Sequence, residues 1–432
     1  MGGLRVALCG LLLPVAWGQT DPGIRIGAPA AGQALNGLGR DDNDAFFVGM
    51  NAFTELSSVT GSIAGTKAGL GPRFNLDSCG GCHRFPAAGG SSPRLNPQVR
   101  AASTAQVAPL IALGVLRENG PVRAVRFRSD GAVHALFTIT GRSDAPSGCT
   151  MPQPDFALHA AAGDLAFRIP TPVFGAGLIE AIPDAAIESL ESAVKPYGIA
   201  GRANRDESDG TIARFGWKAQ NRSLLFTAAE AFNVEQGLTG DLFPSEHSEA
   251  GGDAPASCGG PGSGVDRADS AATATFMRLL AAPSSAPNGY TSRDRGIISA
   301  VSVTNGRALF EAIGCAVCHT PSLDTGPHPN AALSHRSARL YSDLLVHRMG
   351  ELGDGVTQGR AGPDEMRTAP LWGVGQRFFL LHDGRTSNLL EAIEAHADGG
   401  RDSASEAVEV VLNFNRLTAA QKQDLLNFVR SL

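Results

Sequence analysis

The chain has 432 residues, a formal charge of −6 and a pI near 5.9, with no basic run to suit nucleic acid or anionic lipid. Its length predicts two domains, each large enough for a core. With 53 glycines and only 6% aromatics it reads as loop-rich, with interiors partly filled by something other than side chains.

The N-terminus carries one early positive charge, Arg5, then the apolar run Val6 to Trp17, ending on the small-residue site Ala16-Trp17-Gly18. This predicts a secretory signal peptide over residues 1–18, too short to span a membrane. No later stretch reaches a span's length without charge. Asn43 to Leu56 has a helical pattern, and a Gly-rich loop then leads to Cys79-Gly80-Gly81-Cys82-His83. Arg123 to Ile139 alternates, turns at Asp130-Gly131 and alternates again, a β-hairpin signal. Segments 184–195 and 223–235 read as helices. Residues 248–264 and 282–289 are rich in Gly, Ser, Ala and Pro, which places a domain junction there, between 19–265 and 266–432. Thr304 to Gly314 follows, with a helical stripe at Leu309, Phe310 and Ile313, and runs into Cys315-Ala316-Val317-Cys318-His319. Thr418 and Gln421 form a capping-box pattern before a last helix with Leu425, Phe428, Val429 and Leu432 on one face.

C-x-x-C-H, found twice, is the attachment pattern of a c-type haem. Two thiols three residues apart can close thioethers on both vinyl groups of a porphyrin, and the adjacent imidazole turns under the iron. Zinc would need four ligands, usually from two such clusters brought together. A redox dithiol would not need the histidine. Two covalently bound haems c are therefore expected, ligated by His83 and His319. Such haems are attached after export in bacteria, which agrees with the leader and predicts a periplasmic protein. Cys149 and Cys258 remain beside Cys9 of the leader. In an oxidising compartment they suit a disulfide, with two separate thiols as the alternative.

The chain resembles the bacterial di-haem oxidoreductase family once labelled predicted thiol oxidoreductases, itself similar to di-haem cytochrome c peroxidases and MauG. The likeness covers nearly all of the mature chain. It rests on Asp77 through His83, Gly89-Gly90-Ser91-Ser92-Pro93, Leu95-Asn96-Pro97-Gln98, Arg168 through Glu180, and Phe215-Gly216-Trp217. Further marks are Asn233-Val234-Glu235-Gln236-Gly237, Tyr341 through Leu345, Arg367 through Gly373, His382-Asp383-Gly384-Arg385, and Glu391 through His396. The resemblance implies a mainly α fold: two cytochrome c-like haem domains, with a large loop-rich insertion holding the small β-hairpin. Thiol exchange is not expected, because cysteines held in thioethers cannot cycle.

The resemblance also suggests what surrounds each iron. The segment ending at His396 is similar to the peroxidase stretch that supplies an axial Met, and to the MauG stretch that supplies Tyr. His396 is thus the expected distal ligand of haem 2, with Met366 and Met349 in reserve. Imidazole in place of thioether lowers the potential expected of that haem. His382 is expected to bond a propionate or a ligand beside it, while His347 could be structural or touch the haem. His134 and His159 are the histidines that could reach haem 1. Trp217 matches the peroxidase tryptophan between the haems, and Glu235 the acid–base group of the peroxide pocket. Glu230 and Gln236 are the neighbours that could fill that role.

The function expected is a haem-dependent oxidoreductase of peroxidase type, passing electrons from a small redox protein through haem 2 and Trp217 to reduce peroxide at haem 1. A non-enzymatic di-haem carrier and a MauG-like oxidase of a partner protein are the alternatives. The related peroxidases hold Ca²⁺ between domains. Here Thr368-Ala369-Pro370 departs from their Thr-Pro by one inserted residue, which weakens that expectation.

Overall fold

In a computed structural model, residues 19–245, 254–258, 267–398 and 404–432 are described. The leader and the 265/266 junction lie outside them. Helix accounts for 34% of the chain and strand for 14%, so the helical bias expected from sequence is modest. The strands form small sheets of two or three. No described helix is long and apolar enough to cross a membrane.

Two helix pairs organise the molecule, and they repeat one packing device. Helix α1 (Arg40–Thr54) precedes the first C-x-x-C-H motif. Further along come α2 (Leu224–Gln236) and α3 (Arg267–Leu279), and α3 packs on both α1 and α2. Helix α4 (Ala300–Ala312) precedes the second motif and packs on the last helix. In the first pair Gly49 lies so close to α3 that a Cβ there would sit 2.2 Å from the Ala272 carbonyl oxygen. In the second, a Cβ on Gly306 would sit 1.9 Å from the Asp424 carbonyl oxygen. Four residues after each glycine a phenylalanine, Phe53 or Phe310, meets an aromatic on the partner helix. The ring centroids are 4.9 Å apart for Phe53–Phe276 and 5.3 Å for Phe310–Phe428. Any side chain at either glycine would push these helices apart and open the core between them.

The expected hairpin is present and gains a strand. Strand β1 (Ala124–Phe127) pairs antiparallel with β2 (Val133–His134) on one side and with β3 (Leu165–Arg168) on the other. Strand alternation then sorts the side chains. Val125, Phe127 and Phe167 join an apolar core that also holds Cys149 and Cys258. Arg126 and Arg168 stand on the other face, toward the first motif. The two cysteines form a disulfide, Cα–Cα 4.7 Å, across 109 residues of chain.

The predicted helices appear as Asp184–Ser192, α2 and α6 (Ala419–Ser431), and a short α5 (Leu389–Glu394) precedes His396. The Thr418/Gln421 capping box forms in full. The N-terminal stretch runs back over the C-terminal helices, where buried Arg430 pairs with Asp21 at 2.5 Å.

Candidate active site: two cavities with a shared wall

Each C-x-x-C-H motif lines its own cavity. His83 follows the single helical turn Cys79–Cys82 and donates from Nδ1 to the Gly90 carbonyl at 3.0 Å. His319 does the same to the Tyr341 carbonyl, also at 3.0 Å. That bond fixes the tautomer and turns Nε2 into the free lone pair, the arrangement a metal-ligating histidine needs. Burial pushes both imidazoles down to about 4, against the pull of the carbonyls of Gly90 and Thr171 on one and Tyr341 on the other, so both rings are neutral at pH 7. Burial likewise pushes the Cys79 and Cys315 thiols up to about 12. All four motif cysteines are unpaired thiols.

This donor set fits a haem and does not fit zinc or a redox dithiol. Within a motif the sulfurs and ring nitrogens do not converge on one point; among the described residues only Cys318, Asp343 and His347 come that close. Thiols that stay protonated to high pH make poor nucleophiles and poor metal ligands.

The walls of the first cavity are polar and charged. Helix α2 supplies Glu230 and Glu235. It stops at Gly237, whose φ of 69° is left-handed and which lies too close to the Arg73 carbonyl for any side chain. The last turn is tied to the chain just before the motif: Asn75 N–H donates to the Glu235 carbonyl at 2.7 Å, and Asn75 Nδ2 to the Val234 carbonyl at 2.9 Å. Glu235 is thereby held beside the motif. Burial raises its carboxyl to about 7; Arg126 pulls the other way, and Glu230 adds to the rise. Glu230 takes a hydrogen bond from Asn221 Nδ2 at 2.5 Å. Gln236 is buried at the same helix end. Among the described residues, no second histidine lines this cavity. Its one methionine, Met277, is packed in the core between the helices.

The histidines weighed for this side are elsewhere. His134 and His159 stack on opposite faces of Phe127, with ring centroids 3.7 and 3.6 Å away. They are bonded to Asp130 at 2.9 Å and Asp164 at 2.6 Å. His134 pairs with Val125 and so falls on the opposite phase of the sheet from Arg126, while His159, in the helix Phe156–Ala161, reaches that same face through Phe127; neither lines the cavity.

The two cavities share a wall. Trp217, Arg367, Arg377 and Ala369 line both. Trp217 is buried with Ile169 and Met366, and its Nε1 donates to the Ile169 carbonyl at 2.9 Å. The next residue, Lys218, is fully buried and bonds Asp354 at 3.0 Å; Asp354 in turn accepts from Arg168 Nε at 2.7 Å. This network clamps the backbone on which Trp217 stands. Arg367 and Arg377 find only carbonyls: Gly216 at 2.7 Å for Arg367 Nε, and Pro370 at 3.3 Å for Arg377 Nη2. Burial lowers both guanidiniums to about 10. Two cations without a carboxylate, facing both cavities, suit the propionates of a porphyrin.

The second cavity is largely apolar. His396 lines it together with His319 and donates from Nδ1 to the Ala392 carbonyl at 2.7 Å, so its Nε2 is also the free lone pair. His396 is close enough to disfavour charge on His319. His382 is buried on the same wall, edge-on to Trp217 with centroids 6.4 Å apart, and burial lowers it to about 4. Met349 and Met366 line the cavity as well. His347 is an ion-paired structural group: Nε2 bonds Asp343 at 3.0 Å and Nδ1 bonds Glu406 at 2.8 Å, with Cys318 Sγ 3.7 Å away. Burial works against charge on this ring, but those bonds overcome it and raise its pKa well above the ordinary value.

Arg126, Arg377, Asp354 and Lys218 were not singled out from sequence. Arg126 carried a signal in the alternation of 123–139, since strand phase opposes it to Val125 and Phe127. Lys218 and Asp354 meet only through the fold.

Residues 131–432 match the family described as "Di-haem oxidoreductase, putative peroxidase". The first motif lies before that span. No curated protein sequence matches the chain. Among solved structures, hydrazine synthase of Kuenenia stuttgartiensis is 12% identical with a TM-score of 0.38, over 100% of both chains. A MauG-like protein associated with microbial copper homeostasis is 17% identical with a TM-score of 0.31, over 56% of this chain and 76% of that one. With most of its length inside the family match, and a haem-compatible histidine in each of two cavities, the chain belongs to the di-haem oxidoreductase family.

Proposed function

We propose that the protein is an exported di-haem c-type peroxidase. Haem 1, at Cys79, Cys82 and His83, is the reactive centre; haem 2, at Cys315, Cys318 and His319, is the electron relay. Each haem sits in a cytochrome c-like unit, one within 19–265 and one within 266–432. The repeated Gly–Phe helix crossing beside both motifs supports that division.

The observation that carries the reading is the asymmetry of the cavities across Trp217. The second has both His319 and His396 in its lining, and these two imidazoles would hold a haem iron there. Among the described residues the first offers no second histidine but a cavity-lining carboxyl, Glu235, poised near neutrality. A bound haem supplies electrons to an oxidant at an open iron position. Glu235 takes the proton from the near oxygen of hydrogen peroxide and returns it to the far oxygen, which leaves as water. Trp217 provides the aromatic link between the sites. His382, Arg367 and Arg377 hold the porphyrin edges and their carboxylates. Electrons come from a small redox protein. Calcium is not part of the proposal, because the Thr368 and Pro370 carbonyls already accept from Ser342, Arg367 and Arg377.

Electron paramagnetic resonance of the purified holoprotein tests this. One high-spin and one low-spin ferric signal are expected, with peroxide consumed after half-reduction. Two low-spin signals and no peroxide consumption would leave the carrier reading standing instead.

A further inference from the structure

Arg126 is a cation set into the wall of the first cavity, with no counter-ion bonded to it among the described residues. It is 7% exposed, its Nη1 donates to the Gly131 carbonyl at 2.6 Å, and its buried Nε has no partner. Strand phase puts it on the cavity face of the sheet beside Arg168, but Arg168 is neutralised by Asp354 at 2.5 Å. Glu235 and Glu230 reach the same cavity from α2, and both act electrostatically on Arg126. A buried guanidinium with an unused donor costs free energy unless something comes to it. What comes must be small, because the cavity also has to seat a porphyrin, and it must carry or develop negative charge.

We propose that Arg126 is a further catalytic residue of the first cavity: it binds the oxidant bound at haem 1 and stabilises the negative charge that develops as the O–O bond breaks. The inference rests on the peroxidase reading and adds the charge-bearing partner of Glu235. In the balanced step hydrogen peroxide takes up two electrons and two protons and gives two waters. The electrons come from the redox-protein donor by way of the haems. Glu235 moves the proton from near to far oxygen, and Arg126 faces the oxygen that accumulates charge before that proton arrives. The same geometry makes the cavity selective for small anions at ferric haem 1, since anion binding there brings the missing charge to Arg126.

Ligand titration of the ferric holoprotein provides the test, with fluoride as the anionic probe and imidazole as the neutral one. In R126Q, fluoride affinity at haem 1 should fall about tenfold or more while imidazole affinity holds, and R126K should recover part of the loss. Peroxide turnover in R126Q should fall in kcat more than KM rises. If R126Q binds fluoride as the parent does, or loses both probes equally, the inference is wrong. A shift of the haem 1 potential with unchanged fluoride affinity would also overturn it and assign Arg126 to a propionate. If the parent protein binds neither probe at haem 1, the iron is closed and the peroxidase reading itself fails, a different outcome from any seen with the variant.

Discussion

At the scale of single residues, Glu235 makes the sharpest claim. Burial places its carboxyl at about 7 rather than near the ordinary 4.5. A general base with that value should give peroxide kcat/KM a rise with pH centred near 7, and E235Q should lower turnover by about 10²–10⁴-fold. The same shift acts on stability. Between 4.5 and 7 the folded protein binds more protons than the unfolded chain, so stability falls as pH rises through that window. E235Q should therefore raise the urea midpoint above pH 7, by about 1–3 kcal/mol of stability, with little change near pH 4. His396 gives a second residue-scale test. H396A should convert haem 2 from low-spin to high-spin in the ferric absorption spectrum, leaving haem 1 unchanged. The residues of the C-x-x-C-H motifs were legible because local spacing alone encodes their chemistry. His134 misled because histidine on a strand gives no sign of which face it occupies until the partner strands are known, and His159 because its short helix is placed by packing on Phe127. Arg377 and Lys218 were illegible because burial of a cation, lone or paired, is set by distant elements.

At the scale of elements, the His347–Glu406 bridge ties strand Val346–Arg348 to the chain entering the helix Val408–Arg416. Burial alone would raise the Glu406 carboxyl. The hydrogen bond and charge of His347, with the amides of Ala200 and Arg348, hold it at about 2 instead. Glu406 therefore contributes stability above about pH 4.5 that is lost as pH falls toward 2. His347, raised above its ordinary value, contributes fully below about pH 6.5 and loses that contribution as pH rises through its folded pKa. E406Q at pH 6 should cost about 3–5 kcal/mol, seen as a lower denaturant midpoint, because it leaves a buried imidazolium with one carboxylate fewer. The disulfide is a second brace. Replacing Cys149 and Cys258 by serine should destabilise the β1-sheet core by about 3–4 kcal/mol while leaving the α4–α6 pair intact, which hydrogen exchange can resolve by region. The hairpin and the helices were readable from periodicity and caps. The third strand was not, because β3 pairs with β1 across some forty residues and only the sheet shows the match.

At the scale of the molecule, two cavities are built on one repeated plan and differ in what faces the histidine. The shared wall at Trp217 makes a specific prediction. W217L should leave each haem's own spectrum nearly unchanged and slow electron equilibration between them, measured by stopped-flow reduction with one haem pre-oxidised. Similar slowing with W217F would place the path through another part of the wall. The repeat was half visible in sequence: the motif pair declares it, but the glycine contacts that shape each unit depend on helices far downstream.

Cys79 and Cys315 line their cavities half-buried, and desolvation there makes their sulfurs reluctant to ionise. If haem is attached through these sulfurs as proposed, attachment should precede closure of the polypeptide around it. Chains allowed to collapse first would trap unreactive sulfhydryls, and porphyrin offered afterwards would be washed out by acidified acetone. Order of assembly, more than catalysis, would then decide how much active protein a cell recovers.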